Sequence, residues 1–157
     1  MKKIILYHIF FLFVIGNNLS QIIYVNQSAT GNNDGTSWEN ALTELSMIYD
    51  EIDYGDTVWV AAGTYKPSQG DNRVATFQIV NGVRMFGGFA GTETNIQQRD
   101  YEANPTILSG DVGVVGDSTD NSYNVMRCGF ADSTTVVDGF IITEGNADGD
   151  LGSSTSF

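Results

Sequence analysis

From Tyr54-Gly55-Asp56 onward the chain is a series of short β-prone apolar runs divided by Gly, Asn and Asp, with no second amphipathic helix between them. That pattern predicts strands over 57–61, 75–80, 83–86, 106–108, 123–127 and 136–143, the last interrupted at Asp138-Gly139. A doubly wound α/β sheet needs helices alternating with its strands, so it is disfavoured. The runs also recur. Val58 to Val83 is 25 residues and Val83 to Ile107 is 24, after which the next landmark is Val125, 18 on, or Val136, 29 on. A repeat of about 20 to 30 residues made of short strands and polar turns is the sequence form of a parallel β-helix. The rival is an antiparallel β-sandwich, because Asn81-Gly82 separates two β runs by two residues, the strongest short hairpin signal.

The segment upstream weighs on that choice. Residues 22–25 read as a strand and 26–35 as a polar turn region. Thr36 and Glu39 have the spacing of a capping box, and Trp38, Ala41, Leu42, Leu45, Ile48, Tyr49 and Ile52 follow at helical intervals on one face. A β-helix has open ends whose strand backbone must be covered, and one amphipathic helix before the first coil would serve as that cover. The expected architecture is therefore all-β: a strand and capping helix over 21–55, then a parallel β-helix of about three to four coils over 56–157.

Ahead of this, Lys2 and Lys3 precede an apolar stretch over 4–15 and a small, polar exit over 16–21, the order of a secretory signal peptide spanning 1–20. Its apolar part would make roughly 18 Å of helix against a hydrocarbon core of about 30 Å, so a membrane span is disfavoured and an exported product is expected. At 157 residues the natural prior is one domain. The chain has 7 Lys plus Arg and 19 Asp plus Glu, for a net charge of −12. Such a surface repels phosphate backbones and anionic lipid, which argues against nucleic-acid partners and membrane-surface binding. His8 is the only histidine and lies in the leader, and Cys128 is the only cysteine. A mature chain so composed lacks the residues for Ser-His-Asp or Cys-His catalysis, histidine-ligated zinc, a four-cysteine metal site or an internal disulfide.

What chemistry remains rests on carboxylates. Asp111, Asp117 and Asp120 share the Gly-rich loop 110–121 and are candidates to gather around a hard cation such as calcium, against the plainer reading of a solvated loop. Asn146, Asp148 and Asp150 alternate with Gly149 among them, like the opening of an oxygen-ligand calcium loop, although the later Gly and bidentate Glu of an EF-hand are absent. Gly110, Gly113 and Gly116 fit neither nucleotide fingerprint. Tyr65, Phe89 and Tyr101 are candidates to stack on sugar rings, against the commoner use of aromatic residues inside a β-rich core.

Five runs carry a resemblance: Ile23-Tyr24-Val25-Asn26, Asn33-Asp34-Gly35-Thr36-Ser37-Trp38, the stretch 55–65 (GDTVWVAAGTY), Gly87-Gly88-Phe89-Ala90-Gly91-Thr92-Glu93 and Asp138-Gly139-Phe140-Ile141-Ile142-Thr143. In this order they resemble the N-terminal portion of secreted bacterial right-handed parallel β-helix proteins of the pectin-lyase-like superfamily, including surface proteins with polymorphic-outer-membrane-type repeats. The resemblance implies a secreted or cell-surface protein, and a non-catalytic module for adhesion or carbohydrate binding within a larger protein. The alternative it implies is a polysaccharide lyase or glycoside hydrolase whose catalytic coils lie beyond residue 157. Extracellular polysaccharide or surface glycan is the expected partner. Such proteins usually continue through many more coils, so an uncapped last coil here is expected to self-associate through its exposed strand edges.

Overall fold

The computed structural model describes residues 20–148. The expected signal peptide, apart from Ser20, lies outside the described residues. Within them are nine strands: β1 (Ile22–Val25), β2 (Thr57–Ala61), β3 (Gly63–Tyr65), β4 (Phe77–Ile79), β5 (Arg84–Phe89), β6 (Thr106–Ser109), β7 (Met126–Cys128), β8 (Val136–Asp138) and β9 (Phe140–Thr143). They form three small open sheets, ordered β1-β2-β5-β8, β3-β6-β9 and β4-β7. Every strand pair is parallel. From β2 onward the chain visits the first, second and third sheets in turn and then begins again.

Alternation along each strand decides what goes inside. In β2, Val58 and Val60 join the buried core and Trp59 faces the other way. Stacking in register extends the same choice from strand to strand. Ile23, Val58, Met85 and Val137 form one inward row, and Tyr65, Leu108 and Ile142 another. Burying each such side chain fully contributes about 1.5–3 kcal/mol. The Tyr65 hydroxyl, deep in this core, donates to Ala61 O at 3.1 Å, and burial pushes its pKa up to about 12.

Three expectations need correction. The antiparallel sandwich is overturned, since β4 and β5, on either side of Asn81-Gly82, belong to different sheets. Gly82 has φ +77 there, and its Cα lies so close to the Tyr54 ring that an added Cβ would meet ring carbons at 2.2 Å. It makes a corner between sheets. The regular period is also wrong: Val58 stacks on Met85, and Val83 and Ile107 lie on different sides of the molecule. True partners are separated unevenly, by 27 residues from Thr57 to Arg84 and by 52 from Arg84 to Val136.

The amphipathic α-helix is the third correction. Only Leu45–Asp50 is helical, as a 3-10 turn. The backbone of residues 40–43 is already committed elsewhere. Leu42 N–H donates to Tyr24 O, and Leu42 O accepts from Asn26 N–H, making a parallel bridge from Leu42 to Val25. Thr43 N–H donates to Asn33 Oδ1 at 2.8 Å, and the Thr36 hydroxyl bonds Asp34 and does not cap a helix. The apolar residues nevertheless go where an amphipathic helix would have sent them, with Ala41, Leu42, Leu45 and Ile48 all buried.

This segment closes the N-terminal end of the stack on all three sides. Leu42 bridges the outer edge of β1. The Tyr49 hydroxyl accepts the outward Gln78 N–H of β4 at 2.7 Å, and Gln27 Nε2 donates to the outward Thr64 O of β3 at 2.6 Å. The opposite end has no equivalent among the described residues. There β7, β8 and β9 each pair on one side only.

Candidate functional site

The register places Tyr24, Trp59, Phe86 and Asp138 side by side across the outer face of the first sheet. Two further rings join them from neighbouring loops. Trp38 lies edge-on to Tyr24 with centroids 4.9 Å apart, and Phe89 stacks on Trp59 at 4.7 Å with planes 15° apart. Trp38 also packs against Phe89 at 5.5 Å. Phe89 and Trp59 are buried beneath this group, whereas Tyr24, Trp38 and Phe86 remain half-buried with surface to offer. Five aromatic side chains thus occupy one outer face, away from the aliphatic core.

Polar groups hold and border that face. Trp38 Nε1 donates to Glu93 O at 2.8 Å. Glu93 is itself fixed, because its carboxylate accepts the N–H groups of Ala90, Gly91 and Thr92 at 2.6, 3.0 and 2.9 Å. Burial alone would raise its pKa, but these amides outweigh burial and hold the carboxyl below the ordinary value. At the far end of the row, Arg99 forms an ion pair with Asp138 and its guanidinium lies 5.0 Å from the Phe86 ring centroid. The Trp59 Nε1 donor is buried without an acceptor among the described residues.

The residues expected to bind a cation are placed differently. Asp111 is buried, with one oxygen accepting Gly116 N–H at 3.0 Å and the other 3.4 Å from Lys66 Nζ. Asp117 bonds the hydroxyl and N–H of Thr119, in that order of effect, and these hold its carboxyl below the usual range. Asp120 accepts Val114 N–H at 2.7 Å. No group of three or more His, Cys, Asp or Glu is gathered for a metal ion among the described residues. Asp148 meets Arg73, whose guanidinium also donates to Asn121 O at 2.8 Å and Asn146 O at 3.1 Å and lies 4.2 Å over the Tyr123 ring. Asn146 Nδ2 donates to Ser118 O. The positive charge that Asn146 and Asp148 meet is therefore the protein's own, and Asp150 lies outside the described residues.

Of the aromatics singled out from the sequence, Tyr65 is core, Phe89 supports the outer cluster from beneath, and Tyr101 is exposed apart from it. Tyr24, Trp38, Trp59, Phe86 and Arg99 went unnoticed as a group. Alternation in 57–61 carried the signal for Trp59, since Val58 and Val60 inside require it outside. Trp38 was masked by its apparent place on a helix face. No helix among the described residues is long and apolar enough to cross a membrane. No family model matches the chain, and neither a curated protein nor a solved structure does.

Proposed function

We propose that the chain is an exported, right-handed parallel β-helix module of the pectin-lyase-like kind that binds carbohydrate without transforming it. The strand path through three parallel sheets supports the architecture, and the ordered sequence runs support the kinship. The outer aromatic cluster carries the functional reading. Half-buried rings on a flat sheet face offer apolar surface to the C–H faces of sugars, while the Arg99–Asp138 pair at its end offers hydroxyl partners. A net charge of −12 favours neutral glycans over polyanionic ones.

Titrating neutral polysaccharides while following the fluorescence of the two tryptophans, Trp38 and Trp59, tests this reading. Saturable binding that Trp38→Ala and Tyr24→Ala weaken at least tenfold, with Phe130→Ala unchanged, is the expected result. Binding indifferent to both substitutions overturns the assigned face. New ultraviolet absorbance from a carbon–carbon double bond, formed on polygalacturonate with calcium, would instead make the protein a lyase.

A further inference from the structure

The two ends of the stack differ in a way that follows row by row. In the second sheet Tyr65 is 1% exposed, Leu108 0% and their stacked successor Ile142 49%. In the first sheet Ile23, Val58 and Met85 are buried and Val137 is only partly covered. In the third, Phe77 and Ile79 are buried, while Met126 is half-buried and Cys128 exposed. Each inward row ends on an uncovered member, so the core continues to the surface at this end. A groove between Val125, Met126, Ile142 and Gly145 opens there. Val136 N–H donates to Val83 O, which turns the Val137 amide toward the uncovered side.

We propose that this end is a self-complementary surface on which two copies of the chain meet tail to tail. Head-to-tail stacking is obstructed, because Leu42, Gln27 and Tyr49 already fill the other end's strand edges. The nine residues 149–157 are too few to lay down another turn, given a shortest partner spacing of 27 from Thr57 to Arg84. The charges around the open end suit contact with a copy. Asp138 is paired with Arg99, Glu144 is bonded by the Ser109 hydroxyl, and Asp148 is paired with Arg73. Two such ends meet without the like-charge repulsion that a net charge of −12 imposes elsewhere. A two-fold axis across the open end sets edge strands of the two copies antiparallel, and the same patch is consumed on both, so assembly stops at a dimer.

Sedimentation velocity of the full chain across a wide concentration range tests this. A monomer–dimer equilibrium is expected, with Ile142→Lys shifting it to monomer and Val115→Lys, on an exposed loop, leaving it intact. Alkylation of Cys128 should slow severalfold as the dimer forms, a readout that stands even if Ile142→Lys fails to fold. Trp38→Ala should not affect dimerisation, which separates this surface from the sugar-binding face. A wild-type monomer at every concentration, a ladder of larger oligomers, or a dimer indifferent to Ile142→Lys with Cys128 unprotected overturns the proposal.

Discussion

Glu93 sits where two local demands meet: the loop after β5 must turn back, and Trp38 must be held against the sheet. Its carboxylate ties up three consecutive amides while its carbonyl receives the indole N–H. Replacing it with Gln leaves part of that amide cluster poorly satisfied, at a cost of about 1–3 kcal/mol measurable by urea unfolding. Its depressed pKa gives the pH dependence a sign. The stabilisation is fully present above the ordinary value of 4.5 and disappears as pH falls through the lower folded-state value. Thermal unfolding from pH 6 downward should therefore show a steeper acid loss in the wild type than in Glu93→Gln. Gly87 illustrates the other kind of constraint, since an added Cβ would meet Gly139 O at 2.4 Å. The sequence run 87–93 is recognisable because close backbone approach and carboxylate capping each admit few residues.

Among elements, Arg73 binds the loops after β6 and β9 to each other through Asn121, Asn146 and Asp148. Its contacts are directional and it lies flat over Tyr123, so Lys is not an equivalent. Arg73→Lys is expected to raise amide hydrogen exchange in 144–148 while leaving β1 and β2 unaltered. Asn146 and Asp148 looked from the sequence like cation ligands, and the short-range spacing contained nothing to indicate that a guanidinium 73 residues upstream of Asn146 would meet them. Strand content was far more legible. β1 and β2 coincide with the runs read from sequence, β8 and β9 break at Asp138-Gly139 as expected, and only the short β3 was missed. Residues 36–52 misled because periodic apolar spacing reports which side chains are buried, and a bridged loop can bury the same set that a helix would.

For the molecule as a whole, the ends should differ in stability as they differ in burial. Native-state hydrogen exchange is expected to be slowest in β2 and β5, which are paired on both sides, and fastest in β7, β8 and β9. Parallel partners 27 to 52 residues apart in the first sheet make folding non-local and slow, in the range of milliseconds to seconds. The period was illegible for a related reason: the perimeter loops vary in length, so landmarks equally spaced along the chain belong to different sheets. The closed end also has a direction in time. Residues 22–61 supply β1, its bridge to Leu42, the 3-10 turn and β2, and they leave the ribosome before any other strand is made. A finished base thus exists while the rest is still being synthesised, and each later strand arrives to find its template already waiting. The chain is built like masonry, foundation first, with its wet edge always the newest course.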